Sequence, residues 1–141
     1  MANTEKEQLV DFYNSKFQVG QIWKYQTRPI DPKSTLRILK VERLHGTTIA
    51  VHVQINSLNT KSAPDKKDGS TASHLPFSEE AVEASVTELL ATKQPLPKDY
   101  EEGYGMWREA FLSGKAGVFT APVAEVVNMI DEMMSGGSQS K

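Results

Sequence analysis

The sequence contains no cysteine, no run of about 18 apolar residues and no large excess of either charge. The absence of cysteine excludes disulfide scaffolds, zinc–thiolate centres and cysteine nucleophiles, and it mildly favours a reducing compartment while also suiting a periplasmic protein. The first residues lack the basic start and apolar run of a signal peptide, so we expect a cytoplasmic protein that does not insert into a membrane.

The chain is long enough to form a core without a metal or a disulfide. Its 141 residues fit one domain, which would bury roughly 68 to 70% of the surface of the unfolded chain. We expect a single α+β domain over residues 1–134. Residues 59–73 carry only small, polar and charged side chains, which predicts a mobile loop, and the Gly- and Ser-rich residues 135–141 predict a disordered tail.

The strand signals concentrate between Val19 and Leu58. Thr47–Leu58 alternates strictly, which predicts one core face and one solvent face. The predicted core face carries Ile49, Val51, Val53 and Ile55, and the predicted solvent face carries Ala50, His52, Gln54 and Asn56. Thr35–Leu44 is its predicted partner through a turn at His45-Gly46, and a change of parity predicts a bulge near Ile38 and Leu39 or burial on both faces.

Gln21–Arg28 is the third predicted strand, and it completes an antiparallel meander. His74–Phe77 predicts a short fourth strand at an edge of the sheet, because Pro76 cannot donate to a ladder.

Helical spacing predicts an N-terminal helix from Thr4 to about Gly20, with an aromatic stripe, and three helices after the sheet. The later helices are predicted over Ser78–Thr92, from about Gly105 to Gly114, and from Thr120 to about Met134. We therefore expect a bent antiparallel meander of three or four strands, or an SH3-like barrel, with the last two helices on one face.

The sequence contains no metal-ligand spacing, nucleophile elbow or phosphate-binding loop. It therefore predicts no catalytic residue, no metal and no cofactor. One pair stands out, because His52 and His74 can meet across neighbouring strands and act as acid and base. In that alternative, Arg28 or Arg37 holds an anionic group and the protein is a small-ligand binder or an enzyme.

Charge is distributed unevenly along the chain. Residues 20–60 hold six basic and two acidic side chains, whereas residues 78–110 hold eight acidic and three basic ones. The simplest interpretation is attraction between the two regions within the fold, and the sharper one is an anion-binding sheet face. The acidic region also suits an immunity or antitoxin-like protein that covers a basic target, whereas a pI of about 5.9 argues against nucleic acid binding.

The function that the sequence favours is non-enzymatic binding of a protein partner or a small anionic ligand. Candidate ligand-binding residues are Arg28, His52, His74, Trp107 and Arg108, and the predicted loop at 59–73 could close over them. Met133 and Met134 offer adaptable apolar surface for a homodimer through the last helix, and the aromatic stripe of the N-terminal helix is another candidate dimer surface.

Several stretches together resemble a layout found in small uncharacterised bacterial proteins. They are Gly20-Gln21-Ile22-Trp23-Lys24-Tyr25, Thr27-Arg28-Pro29, His74-Leu75-Pro76-Phe77-Ser78, Tyr104 with Trp107-Arg108 and Phe111, and Gly117-Val118-Phe119-Thr120. The G-x-x-W-x-Y opening is also similar to the first strand of SH3-like barrels, where the aromatic residue packs inside. Neither resemblance implies an activity or a set of catalytic residues.

Overall fold

The computed structural model describes residues 9–44, 46–59 and 69–135. These residues form a six-stranded antiparallel sheet and three helices. The strands are β1 (Val10–Asp11), β2 (Ile22–Tyr25), β3 (Thr35–Arg43), β4 (Ile49–Leu58), β5 (Ser70–Ser78) and β6 (Val86–Ala91). The helices are α1 (Glu79–Ser85), α2 (Tyr100–Leu112) and α3 (Val123–Met134). At most 13 residues long, the described helices cannot span a membrane.

The sheet has the strand order β5-β4-β3-β2-β6, and β1 pairs with the end of β3 on the same side as β2. The meander of β2, β3 and β4 that the sequence predicts is therefore present, but the prediction of three or four strands is wrong. Because β5 and β6 lie at opposite ends of this order, the described strands form an open sheet and not an SH3-like barrel.

The predicted N-terminal helix is wrong for residues 9–20, and its first residues lie outside the described part of the chain. Residues 9–20 instead form β1 and a loop. The Phe12 N–H bonds to the Val41 carbonyl at 3.0 Å, which extends the pairing with β3. The Ser15 hydroxyl accepts a bond from the Phe17 N–H at 3.0 Å, a local contact that competes with helical hydrogen bonding.

The predicted helix over Ser78–Thr92 is half right. Ser78 caps α1 by accepting a bond from the Ala81 N–H at 3.1 Å, as its position before Glu79 and Glu80 predicts. The helix ends at Ser85, and the chain continues from Val86 as edge strand β6. Over a segment this short, the spacing of Val86, Leu89 and Leu90 fits a helix and a strand equally well.

The helices lie on both faces of the sheet, so the prediction that the last two share one face is wrong. The main core lies between the sheet and α1 with α3, and includes Val51, Val53, Val82, Val123 and Val126. The opposite face of the sheet is covered by α2. There, Trp107 and Phe111 pack against Leu44 and Ala50 in a smaller cluster.

Strand β4 is consequently buried on both faces. Its predicted core residues are confirmed, since Ile49, Val51, Val53 and Ile55 are all 8% exposed or less. The predicted solvent face is wrong, since Ala50 and His52 are fully buried. The predicted bulge in β3 is confirmed: the register shifts between Ile38 and Lys40, and Leu39 is the extra residue.

Two further boundaries differ from the sequence-based expectation. Strand β5 begins at Ser70, so the last residues of the predicted 59–73 loop are paired with β4; residues 60–68 and 136–141 lie outside the described chain, as does His45. Helix α2 begins at Tyr100, so Gly103 and Gly105 lie within the helix.

Candidate functional site

His52 and His74 are direct neighbours. His52 lies in the middle of β4, His74 lies in β5 at the edge of the sheet, and His52 Nδ1 is 2.8 Å from His74 Nε2. The two rings are inclined by only 18° with centroids 5.0 Å apart. His52 is fully buried and His74 is half-buried. The sequence-based expectation that these histidines meet across neighbouring strands is confirmed.

Glu42 holds the other side of the His52 ring. The Leu39 bulge places Lys40 opposite His52 and Glu42 opposite Ala50, so Lys40 and Glu42 point to the same face as His52. Glu42 Oε1 lies 2.9 Å from His52 Nε2, and Glu42 Oε2 accepts a bond from the Tyr104 hydroxyl at 2.5 Å. Glu42 is 2% exposed, so both oxygens of its carboxylate are bonded away from solvent.

We call Glu42, His52, His74, Tyr104 and Trp107 the histidine cluster. Because an ionised carboxylate only accepts hydrogen bonds, the proton on His52 is assigned to Nε2, which donates to Glu42. His52 Nδ1 is then an acceptor, and His74 Nε2 donates to it. Among the described residues, His74 Nδ1 has no hydrogen-bond partner, which leaves one ring nitrogen to accept a proton.

Burial sets the charge states of this chain of bonds. Desolvation lowers the pKa of His52 and outweighs its hydrogen bond to Glu42. Desolvation and the neighbouring His52 lower the pKa of His74 to about 4. Desolvation opposes ionisation of Glu42, but the hydrogen bonds from His52 and Tyr104 prevail and lower its pKa. At neutral pH the cluster therefore holds one carboxylate and two neutral imidazoles.

Helix α2 supplies the two larger aromatic rings of the histidine cluster. The Trp107 ring meets the His52 ring edge-on at 4.8 Å and 75°, and the Tyr104 ring meets it at 5.0 Å and 86°. Trp107 Nε1 donates to the Gly117 carbonyl at 2.8 Å. Gly103 faces His74 closely enough that a Cβ at this position would lie 3.3 Å from the His74 Cβ.

Arg28 lies apart from the other candidate residues. Its Nε lies 2.6 Å from Asp31 Oδ2, and its Nη1 lies 2.9 Å from Asp131 Oδ2 of α3. The Arg28 side chain is 7% exposed and those of its acidic partners are at most 1% exposed. The arginine thus crosslinks the β2–β3 connection to α3 on the face opposite His52.

The remaining predicted residues differ in position. Trp107 belongs to the histidine cluster, whereas Arg108 follows it on the exposed side of α2. Arg37 Nη1 donates to the Pro95 carbonyl at 2.6 Å, which ties β3 to the segment before α2. The structure therefore brings together His52, His74 and Trp107 and separates them from Arg28.

The aromatic residues of β2 face the main core. Trp23 is 9% exposed and Tyr25 is 5% exposed, so neither ring presents a surface for stacking on bases. Lys24, between them, is exposed and lies 3.9 Å from Glu88 of β6, which joins the basic and acidic regions of the sequence.

A cavity lies beside β3, between the loop that follows β1 and the start of α2. Its volume is about 360 Å³. We call it the loop cavity because the chain from Phe12 to Val19 forms its roof. It is lined by Asp11, Phe12, Tyr13, Phe17, Gln18, Val19, Leu39, Lys40, Val41, Leu96 and Tyr100. Gly20 closes the loop with φ +92°, and its backbone approaches Gln94 too closely to leave room for a larger residue.

Lys40 connects the loop cavity to the histidine cluster. Its ammonium lies 2.9 Å from Asp11 and 5.5 Å from the centre of the Tyr104 ring. Burial opposes its ionisation, but the hydrogen bond to Asp11 and the charges of Asp11 and Glu42 raise its pKa. A positive charge is thus present in the wall of a cavity that is lined by both apolar and polar groups.

A second cavity of about 190 Å³ lies between α3 and the β4–β5 hairpin, where Leu58, Leu75, Val127 and Ile130 form its walls. It contacts Asp131 but not the histidine cluster. Among the described residues, no group of three or more histidine, aspartate or glutamate side chains is arranged to hold a metal ion.

Sequence reasoning missed Glu42, Lys40 and Tyr104 as parts of the site. Glu42 counted as one of two acids in a basic region, and Tyr104 as part of a helical stripe. A signal was present in the bulge at Leu39, since a one-residue shift there puts Lys40 and Glu42 on the His52 face. Asp11 carried no signal, because its segment read as helix.

No protein-family model, curated protein or solved structure matches the chain.

Proposed function

We propose that the protein is a non-enzymatic binding protein that takes a small, largely apolar ligand into the loop cavity. The observation that supports this most strongly is the cavity itself, whose volume of about 360 Å³ falls within the roughly 300 to 1,000 Å³ typical of small-molecule sites. The smaller cavity beside α3 falls below that range.

The walls of the loop cavity have the composition of a ligand site. Phe17, Leu39 and Val41 belong to the buried interior, and they supply apolar surface at its base. Tyr13 is 76% exposed and Val19 is 47% exposed at its rim. A bound molecule that covered these two side chains would remove apolar surface from water and gain roughly 25 cal/mol for each Å².

The histidine cluster contacts the wall of the loop cavity through Tyr104 and Lys40. Three of the four ring nitrogens in the pair are engaged, and both Glu42 oxygens are occupied. These bonds hold Tyr104 in place, and the Lys40 ammonium lies 5.5 Å from the centre of its ring. Such a network holds a neighbouring site rigid, which lowers the entropy cost of binding.

A fluorescent probe tests the proposal without knowledge of the natural ligand. N-phenyl-1-naphthylamine is neutral and aromatic, and its emission rises when it leaves water. We expect saturable binding of one probe to each protein molecule. The variant Val19→Trp should fill the mouth of the cavity and weaken binding at least tenfold.

Val10→Trp is the matched control. Val10 is 38% exposed and lies in β1 close to the loop, but it does not line the cavity. It should bind the probe as the unmodified protein does. Absence of saturable binding, or equal affinity in Val19→Trp, would refute the proposal.

Proton transfer at His74 is a second candidate function, favoured by the 2.8 Å contact between the histidines and by Glu42 behind them. In this arrangement His74 Nδ1 accepts a proton from a substrate, while Glu42 and His52 fix the tautomer of the His74 ring. NMR titration of the ring nitrogens tests it. Two ordinary values near pH 6.5 would remove its basis, whereas a His74 pKa near 4 agrees with the structure.

A further inference from the structure

We propose that the ligand of the loop cavity is an amphipathic organic anion, whose charged group binds Lys40 in place of Asp11. This inference rests on the proposed function and adds the chemical class of the ligand. It depends on three observations: the position of Lys40, the weak anchoring of Asp11 and the apolar side chains that line part of the remaining wall.

Lys40 is placed at the cavity by the bulge in β3. Leu39 is the extra residue of that bulge, and both Leu39 and Lys40 line the cavity as a result. The Lys40 side chain is 29% exposed, so it is partly shielded from solvent and still accessible from the cavity. A charge in such a position binds a counter-ion more strongly than an exposed lysine does.

Two acidic side chains lie near Lys40, and a ligand could replace only Asp11. Glu42 is committed to His52 and Tyr104 inside the protein, and it cannot turn toward the cavity without breaking two hydrogen bonds. Among residues 9–44, 46–59 and 69–135, Asp11 is the other acid that pairs with Lys40, and its side chain is 50% exposed. The carboxylate of Asp11 therefore occupies the place that the anionic group of a ligand would take.

Asp11 is held by a short element. Strand β1 contains only two residues, which pair with Arg43 and Glu42. The Asp11 carboxylate also accepts a long hydrogen bond from the Tyr13 hydroxyl at 3.4 Å. Because Asp11 is half exposed, its carboxylate can return to water when it leaves Lys40, at little cost in solvation.

The rest of the cavity suits an apolar body attached to that anionic group. Phe12, Leu39 and Leu96 line it together with the ring of Tyr100. Gln18 adds a polar group at the rim, and within the described part of the chain Lys40 is the one cationic side chain that lines the cavity. A polyanion such as a nucleotide would place further charge against apolar walls, so the geometry favours a molecule with a single anionic group.

Two related probes separate this inference from the proposed function. 8-Anilinonaphthalene-1-sulfonate carries the same aromatic system as N-phenyl-1-naphthylamine and adds one sulfonate. In Lys40→Met, we expect affinity for the sulfonate probe to fall about tenfold or more, and affinity for the neutral probe to change less than twofold. In Asp11→Asn, we expect tighter binding of the sulfonate probe, since its competitor for Lys40 loses its charge.

Lys24→Met is the matched control, because Lys24 also lies in a strand and faces a single acid, Glu88 at 3.9 Å. It should bind both probes normally. If Lys40→Met leaves the sulfonate probe unchanged, or weakens both probes equally, the anionic class is refuted while the cavity remains a binding site. If Val19→Trp does not lower the affinity for the neutral probe, the proposed function is refuted, and the inference that rests on it is refuted as well.

Discussion

His52 Nδ1 lies 2.8 Å from His74 Nε2, and the buried Glu42 carboxylate bonds to the opposite side of the His52 ring. A fully buried imidazole is thus held between an anion and a second imidazole. This arrangement favours the neutral form of both histidines, because burial removes the water that would solvate a positive charge on either ring.

The protein should lose stability when the pH falls from about 6.5 toward 4. In the unfolded chain His74 takes up a proton near pH 6.5, whereas in the folded protein its pKa is about 4. The unfolded state therefore binds more protons in this range, and the free energy of unfolding falls as the pH falls. Each pH unit costs up to about 1.4 kcal/mol for one such histidine. Chemical denaturation at half-unit pH intervals measures the slope.

The variant His74→Gln supplies the comparison for that slope. It removes the titrating group from the exposed end of the cluster and leaves Glu42 and His52 in place. Its stability should change less steeply between pH 6.5 and 4 than that of the unmodified protein. Identical slopes would show that His74 is not the group responsible.

Arg28→Met should be much less stable than the unmodified protein. The substitution removes the guanidinium to which the buried carboxylates of Asp31 and Asp131 both bond. Removal of one partner from a buried ion pair costs about 3 to 5 kcal/mol. Arg108→Met, on the exposed side of α2, should stay within about 0.5 kcal/mol. Thermal unfolding of the two variants tests this difference, and equal melting temperatures would contradict the buried role of Arg28.

The two glycines of α2 should respond differently to alanine. A Cβ at Gly105 meets no atom within 4 Å, so Gly105→Ala should stabilise the protein by about 0.8 to 1 kcal/mol through helix propensity. A Cβ at Gly103 would lie 3.3 Å from the His74 Cβ. Gly103→Ala should therefore lose part or all of that gain and should alter the NMR signals of the His74 ring. An equal gain in both variants, with His74 unchanged, would show that α2 does not press on this histidine.

Tyr104→Phe tests the link between helix and cluster. It removes the hydrogen bond to Glu42 Oε2 while keeping the ring against His52. Loss of a bond to a charged group costs about 1.5 to 3 kcal/mol. Glu42 should also become easier to protonate, because a hydrogen bond that lowers its pKa is gone. Carboxyl carbon NMR during an acid titration would detect the change, and an unaltered Glu42 would exclude the proposed contact.

The strands of the meander could be predicted because their patterns depend on local spacing. Alternation identified β4, and the change of parity identified the bulge at Leu39. The other features of the fold depend on contacts between residues that are far apart in the sequence. Ala50 and His52 read as a solvent face because nothing local indicates that Trp107, more than fifty positions later, would cover them.

The site was only partly predictable for the same reason. His52 and His74 could be paired, since they lie in strands that follow one another along the chain. Glu42 could be assigned to the site only once the bulge fixed the face of β3 on which it lies. Arg28 could be excluded from the site only once the position of α3 showed that it pairs with Asp131. Residues 9–20 were misread because β1 is two residues long and gives no periodic signal of its own.

Intermolecular NOEs between N-phenyl-1-naphthylamine and the methyl groups of the protein test the central claim most directly, since they locate the bound probe by distance. The account predicts NOEs to Leu39, Val41 and Leu96, and none to Leu75 or Val127 of the second cavity. NOEs confined to Leu75 and Val127, or spread evenly over exposed methionines such as Met133, would contradict it.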